Sequence, residues 1–425
     1  MDILRLIAII ISLSALLAYI NIRFIKLPST IGVMSLSLIL SLILLLVAAA
    51  SPVSDYLKGL LIQIDFSDFV LDFMLGFLLF AGALHTDINK LRKSKAPIIT
   101  FATIGILLST FIVATALYFL LPVFYTQVDY IYCLLFGALI SPTDPIAVLS
   151  ILKKAGISES IKAKITGESL FNDGVGVVIF LTLFNIAREG LAEVTAGEVA
   201  LLLLEEIGGG ILLGLLLGFL GFRMMKSIDH YQTEIMITLA LVLAGSTIAP
   251  LFHFSGALAM VVAGLFIGNI DTDQSMSART EDYVTKFWEM IDEIMNAVLF
   301  VLIGLELLII PFELSFIYVG LISILIILLA RIISLVVPSA LFKFKYEFPK
   351  NTYLLMTWGG LRGGISIALA LSLPANMERN LIVTITYVVV LFSIIVQGLT
   401  LEKLVNRLRK ESVVGIDKDI SATEA

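Results

Sequence analysis

The sequence has little of what soluble, disulfide-bonded or metal-cluster proteins contain. Its 425 residues include a single cysteine, Cys133, which excludes an internal disulfide and any cysteine-based metal cluster or haem attachment. Only 15% of the residues are charged, and a net charge of −6 provides no basic footprint for nucleic acid. Because 59% of the residues are hydrophobic, the chain cannot be a soluble enzyme with one core. The composition predicts an all-α polytopic membrane protein.

The apolar residues are concentrated in long runs, and windows of about 19 residues predict thirteen transmembrane helices. No small-residue cleavage site follows the first run before Arg23 and Lys26, so we interpret this run as a span and not as a removed signal peptide. In chain order, the predicted spans are residues 3–21, 30–49, 67–86, 97–121, 130–153, 160–187, 196–222, 232–250, 254–269, 285–308, 313–341, 351–373 and 380–404.

The positive charges are distributed unevenly among the segments that join these spans. If the N-terminus is outside, 22 of the 28 Lys and Arg residues fall in cytoplasmic segments and four fall in outer segments. This asymmetry follows the positive-inside rule, and merging or splitting one span would destroy it. The sequence therefore predicts an odd number of spans in the inner or plasma membrane, with the N-terminus outside and the C-terminus cytoplasmic.

Two of the predicted spans contain residues that interrupt a helix. In span five, Pro142 and Pro145 flank Thr143 and Asp144, and each proline removes an amide donor and disfavours helix just before it. In span twelve, four glycines in six residues surround Arg362. The two spans run in opposite directions, which is typical of inverted repeats whose broken helices cross at a shared site. A packing kink is the alternative for span five.

Several charged residues lie inside apolar spans. A bare carboxylate at this depth costs about 2.5–3.5 kcal/mol on insertion scales, so Asp173 predicts an ion or proton site. Arg331 follows an unbroken apolar run, residues 324–330, and must be paired with an acid. Asp144 and Arg362 can offset the opposed helix dipoles at the two breaks, or each can simply cap a half helix.

Four sequence blocks resemble a known transporter family in their order and spacing. They are Ser141–Pro145, Gly167–Gly174, the mid-span Arg331 and Gly359–Gly363. The chain resembles the prokaryotic sodium/proton antiporters of the cation/proton antiporter-1 family, and eukaryotic sodium/hydrogen exchangers are similar in the same blocks. The resemblance extends over essentially all thirteen spans. It implies a secondary transporter that exchanges Na⁺ or Li⁺ for H⁺ and is not an enzyme.

The resemblance also implies a cation site. Asp173 would bind the cation and the proton alternately, and the Ser169 hydroxyl, the Thr143 backbone carbonyl and Asp144 would be further ligands of Na⁺. All of these are hard oxygen donors, and Ser169 and Asp173, four residues apart, share a helix face. Asn172 places the chain in a branch that is electroneutral. One titrating carboxylate can carry one proton or one monovalent ion, which agrees with a 1:1 exchange.

The residues implied to brace this site are Asn172, Glu168, Arg331 and Arg362. Glu168 and Arg331 would form a buried ion pair, while Asn172 would bridge toward the unwound part of span five. Arg362 is assigned a structural role. From the residues alone, another intramembrane acid such as Glu205 or Glu206 remains an alternative partner for Arg331.

Two further features bear on how cations are selected. Many relatives have a glutamate ligand on span three, and Ala81 stands at the position that we match to it. Glu289, Asp292, Glu293 and Asn296 repeat at helical spacing on span ten, where they form either an acidic funnel for cations or a solvated end turn. The preference among Na⁺, Li⁺ and K⁺ is therefore left open.

Within residues 1–410, the resemblance implies two parts. Spans 1–3 and 7–10 would form a dimerisation part, and spans 4–6 and 11–13 an ion-carrying core; residues 411–425 would be a short cytoplasmic tail. The protein is expected to be a homodimer in the lipid bilayer that takes no cofactor. A ladder of glycines predicts close helix packing on span seven: Gly208, Gly209, Gly210, Gly214, Gly218 and Gly221.

Two rival functions are compatible with the same residues. A potassium/proton antiporter would use the same site, and a cation channel could also contain broken helices and a midplane aspartate. The buried pair expected between Glu168 and Arg331 and the lack of a carbonyl filter argue against a channel. Transport of each cation, its saturation and its coupling to protons distinguish the three.

Overall fold

The computed structural model describes residues 2–48, 69–144, 148–149, 152, 159–189, 196–269, 278–307, 313–342 and 351–408. Within these ranges the regular elements are helices, apart from one isolated antiparallel bridge between Asp144 and Leu361. Besides the short helices Ile88–Lys93 and Ala249–Phe252, the helices are α1 (Asp2–Ile20), α2 (Ser29–Ala48), α3 (Phe69–Leu84), α4 (Lys95–Phe124), α5 (Tyr130–Ile140), α6 (Glu159–Glu189), α7 (Ala196–Met225), α8 (Tyr231–Ile248), α9 (Gly256–Gly268), α10 (Ala278–Glu306), α11 (Leu314–Leu341), α12a (Thr352–Trp358), α12b (Gly364–Leu371) and α13 (Arg379–Leu408).

Each of the thirteen predicted spans overlaps one of these helices or, for span twelve, a pair of half helices. Seven of the described helices are long and apolar enough to cross a membrane: α1, α4, α6, α7, α8, α11 and α13. Shorter apolar helices are α2, α3, α5 and α9. The prediction of an all-α polytopic membrane protein is confirmed.

The two predicted helix breaks are present and they touch. Helix α5 ends at Ile140, and α12a and α12b are separated by the unwound residues 359–363. The backbone N–H of Asp144 donates a 2.8 Å hydrogen bond to the Leu361 carbonyl, so one break is joined to the other. Residues 145–147, which include the second proline of span five, lie outside the described residues. The crossing of two interrupted helices is confirmed.

The helices pack in two neighbouring groups. Helix α4 contacts α5 and α11, and α11 contacts α13; in the other group α9 contacts α3 and α7, while α10 contacts α2 and α3. Helix α6 contacts members of both groups, namely α5, α9 and α7. The broken helices and the charged middle of α6 therefore lie where the two groups meet.

The glycine ladder of α7 packs against α9 and against Ser255, the residue that precedes α9. A Cβ atom at Gly210 would lie 2.7 Å from the carbonyl oxygen of Ser255, and one at Gly214 would lie 2.5 Å from that of Ala259. Only glycine permits backbones to approach this closely. Gly208, in contrast, has no heavy atom within 4 Å of that position. The predicted close packing is thus an intramolecular contact between α7 and α9.

Replacing Gly214 by alanine is expected to destabilise the protein by about 1–3 kcal/mol, because the added methyl group must push two backbones apart. The matched control is Gly208→Ala, where the methyl group meets open space and no loss is expected. Thermal unfolding of both variants in detergent measures the difference. Equal melting temperatures would show that the contact between α7 and α9 tolerates separation.

Candidate functional site

The unwound segment after α5 is held by side chains of α6. The Asn172 amide nitrogen donates to the Thr143 hydroxyl at 2.9 Å, and the backbone N–H of Thr143 donates to the Asn172 amide oxygen at 3.3 Å. The Thr143 and Ser169 hydroxyls are 3.2 Å apart. All three residues are buried. Asn172 thus supplies hydrogen bonds that the interrupted helix cannot make, and it orients Thr143 toward Ser169.

Asp173 lies one residue further along α6 and faces a cavity. Its side chain is buried, and its carboxylate interacts electrostatically with Asp144, Arg362 and Glu168. Asp144 and Asp173 both line the cavity, whose volume is about 480 Å³. A carboxylate in such a place requires a proton or a cation to neutralise it. The structure therefore brings Asp173, Asp144, Ser169 and Thr143 together at the crossing of the broken helices.

This first cavity extends from Asp173 to one end of the helix bundle. At that end it is lined by Asp87, Lys90 and Lys162. Its wall also includes Ser366 of α12b, a residue for which the sequence pattern provides no signal. The cavity connects Asp144 and Asp173 to the side of the protein that carries these lysines.

Helix α10 contributes a fourth acidic side chain to the cavity wall. Asp292 and Asn296 line the cavity, and the Asn296 amide nitrogen donates to Asp292 Oδ1 at 3.1 Å. Glu289 and Glu293 are exposed, and the Glu293 carboxylate accepts a 2.7 Å hydrogen bond from the Ser29 hydroxyl. The acidic cluster of span ten is therefore divided between the cavity and the surface.

The residues of α3 that line the cavity do not include Ala81, the position matched to the glutamate of relatives. Ala81 is fully buried in the packing of α3, whereas Leu78, Leu79 and Gly82 line the cavity. His85 follows them at the helix end and also lines it. The position matched to a glutamate ligand is buried in the helix packing and is not on the cavity wall.

The predicted ion pair between Glu168 and Arg331 is present. Both guanidinium Nη atoms donate to the two Glu168 carboxylate oxygens, with Nη2 to Oε2 at 2.8 Å, so the pair is bidentate. Both side chains are buried, and Nη2 also lies 3.4 Å from the Met356 carbonyl of α12a. Since Glu168 is on α6 and Arg331 on α11, the ion pair joins α6, the helix that carries Asp173, to α11.

Arg362 serves the other broken helix. Its Nη1 atom donates to the carbonyls of Ser141 and Pro142, the second at 2.6 Å, and its backbone N–H donates to the Ser393 hydroxyl at 2.8 Å. A positive charge at these carbonyls complements the negative end of the α5 dipole. The Asp144 carboxylate lies beside Gly363, the N-cap of α12b, where a Cβ atom would be 2.8 Å from Asp144 Oδ2. Each helix break thus has a charge from the other broken helix beside it.

Comparison with known proteins assigns the chain to a family. Residues 12–407 match the family described as sodium/hydrogen exchanger, transmembrane. The chain is 48% identical over 414 residues to the Na(+)/H(+) antiporter NhaP of Pseudomonas aeruginosa, which covers 95% of this chain and 97% of the relative. It is 34% identical over 417 residues to the Na(+)/H(+) antiporter NhaH of Halobacillus dabanensis, with 96% and 97% covered.

A solved structure has the same fold. The sodium proton antiporter MjNhaP1 from Methanocaldococcus jannaschii at pH 8 superimposes with a TM-score of 0.74 over 95% of this chain and 99% of that chain, at 21% identity. The resemblance inferred from the four sequence blocks is confirmed along almost the whole length. The chain belongs to the family of transmembrane sodium/hydrogen exchangers.

Proposed function

We propose that the protein exchanges Na⁺, or Li⁺, for H⁺ across the membrane, one for one, by competition at Asp173. The observation that carries this is the buried Asp173 at the end of an open cavity, beside an Asn172 whose amide oxygen and nitrogen are both bonded to Thr143. Asn172 is engaged in structure and cannot take up a proton. Of these two neighbouring residues, only Asp173 has a carboxylate that can carry either the proton or the cation.

The proposed cation ligands are Asp173, Asp144, Ser169 and Thr143. Carboxylate, hydroxyl and carbonyl oxygens are hard donors and suit small monovalent cations. The 3.2 Å contact between the Ser169 and Thr143 hydroxyls holds two of these residues side by side. Asn172, Glu168, Arg331 and Arg362 brace the site, since their bonds connect α6, α11 and the two helix breaks.

The coupling of cation movement to proton movement follows from the free energy needed to move an unneutralised carboxylate through the protein. Asp173 loaded with a proton or with Na⁺ is neutralised, whereas the empty carboxylate would be expensive to carry past the apolar barrier of the bundle. The site therefore changes its access only when loaded. No cofactor is needed for this cycle, because the gradient of one ion drives the other.

The proposed cycle is alternating access between two groups of helices. The ion-carrying core would comprise spans 4–6 and 11–13, and spans 1–3 and 7–10 would form the dimerisation part of a homodimer. The first cavity ends at Lys90 and Lys162, which the charge distribution assigns to the cytoplasm. With the N-terminus outside, this conformation faces the cytoplasm.

Transport by the purified protein in liposomes tests the proposal. Na⁺ and Li⁺ gradients are expected to drive H⁺ movement across a pH series, at a rate that does not change when the membrane potential is clamped at different values. A dependence on potential would contradict 1:1 exchange. Equal rates with K⁺ would favour the potassium/proton alternative, and Na⁺ flux without H⁺ counter-movement would indicate a channel.

A further inference from the structure

A second cavity, of about 280 Å³, lies along the other half of α6. Its α6 wall consists of Val177, Val178, Leu181 and Asn185, whereas the first cavity is lined on α6 by residues up to Asp173. The opposite wall is formed by residues of α3, α7, α8 and the connection to α9, among them Gly76, Glu206, Ser246 and His253. The two cavities therefore approach the middle of α6 from opposite ends of the bundle.

Residues 174–176 of α6 separate the two cavities, and both glycines among them are closely packed, since a Cβ built on Gly176 would lie 2.2 Å from Pro142 Cγ. Gly174 follows Asp173, and the Leu258 side chain of α9 fills the space that a side chain there would occupy, with Cδ2 2.7 Å from a Cβ built on Gly174. Leu258 is buried. Because α9 belongs to one helix group and α6 carries the site, movement of one past the other would withdraw Leu258 from Gly174 and join Asp173 to the second cavity.

Glu206 brings a carboxylate to the second cavity. Its side chain is half-buried on the apolar helix α7, and its backbone carbonyl accepts a 3.0 Å hydrogen bond from Ser255 N–H, which ties it to the start of α9. Most of the remaining wall is aliphatic or aromatic. A carboxylate in such surroundings raises the local concentration of cations. Glu205, its neighbour, is exposed and does not line the cavity.

We propose that the second cavity is part of the ion pathway from the outer face, closed off from Asp173 in this conformation. The Glu206 carboxylate would attract the cations that arrive there. This inference rests on the proposed exchange function. In the conformation that faces outward, a cation passes from Glu206 to Asp173 after Leu258 has left Gly174. In the present conformation, the packing of residues 174–176, with Leu258 against Gly174 and Pro142 against Gly176, closes this route.

Glu206→Gln tests the proposal through its sidedness. In membrane vesicles of either orientation, the variant is expected to raise the KM for Na⁺ about threefold or more at the outer face, with KM at the cytoplasmic face and kcat unchanged. Glu206→Asp is expected to restore the outer KM. The control Glu205→Gln removes the adjacent exposed charge and should leave both KM values as they are. An outer KM that does not rise, or an equal rise at both faces or in the control, would overturn the proposal.

Thiol labelling provides a second measurement that does not depend on the Glu206 variants. In a Cys133→Ser background, Val177→Cys is expected to react with a membrane-impermeant thiol reagent added outside during exchange, whereas the buried Thr182→Cys, which does not line the cavity, is not. An unreactive Val177→Cys overturns the outer pathway. If the Cys133→Ser and wild-type proteins carry out no Na⁺-dependent H⁺ movement, the proposed function itself fails, which is a different outcome.

Discussion

Asp173→Asn is expected to reduce Na⁺-dependent H⁺ movement in liposomes to the rate of protein-free vesicles. Asparagine keeps the size of the side chain but can neither bind a proton at this site nor neutralise a cation. Losing one member of a buried charged interaction costs about 2–5 kcal/mol, which is a loss of roughly 30-fold or more in Na⁺ affinity. Asp173→Ala is expected to have the same effect on transport.

The control for this experiment is Asp282→Asn on α10. Asp282 is exposed, and its carboxylate accepts a hydrogen bond from Lys286 at 2.6 Å on the surface of the helix. Surface pairs of this kind contribute little, so exchange by the control should match the wild type. Exchange by Asp173→Asn at an undiminished rate would contradict the assignment of Asp173 as the shared site.

Much of this site could be predicted because its elements are local in sequence. Pro142 cannot donate a backbone hydrogen bond, so α5 ends before it regardless of what the helix packs against. The spacing of Ser169 and Asp173 places both on one face of α6, whatever that helix contacts. The placement of the helices followed from hydropathy, since the length of a span is set by the bilayer.

The remainder depends on contacts between distant helices and could not be read from spacing. The residues alone left Glu205 and Glu206 open as partners of Arg331, but the fold brings Glu168 to it and places Glu206 at another cavity. Ala81 illustrates the same limit, because the rotation of α3 about its axis decides which residues face the cavity. Residues 75–84 of α3 are apolar all around and carry no pattern that reveals this rotation.

The placement of a charge beside each helix break was only partly predictable. The sequence allowed either dipole compensation or simple caps for Asp144 and Arg362. The structure shows that Arg362 caps the carbonyl end of α5, a helix more than 200 residues away, so that both descriptions apply to the same contact. A charge that compensates a dipole across two helices also fixes how they cross. These carbonyls explain how Arg362 can be buried although no carboxylate among the described residues forms a hydrogen bond with it.

Glu168→Gln is expected to destabilise the protein by about 3–5 kcal/mol, because it leaves the Arg331 guanidinium buried without its counter-charge. The selectivity between Na⁺ and Li⁺ should change much less, since Glu168 bonds to Arg331 and does not line the first cavity. Arg331→Met, which leaves the opposite charge uncompensated, should be destabilising to a similar degree. Thermal unfolding in detergent measures stability, and exchange in liposomes measures selectivity.

The double variant Glu168→Gln with Arg331→Met distinguishes bracing from any direct role in ion binding. Replacing a buried ion pair by uncharged side chains of similar size is often neutral, so the double variant should recover most of the stability that either single variant loses. If stability returns and exchange returns with it, the pair acts by holding α6 against α11. If stability returns while exchange remains lost, the charge of Glu168 or Arg331 takes part in transport. A double variant no more stable than the worse single variant would show that the bidentate pair is not the interaction whose loss destabilises the protein.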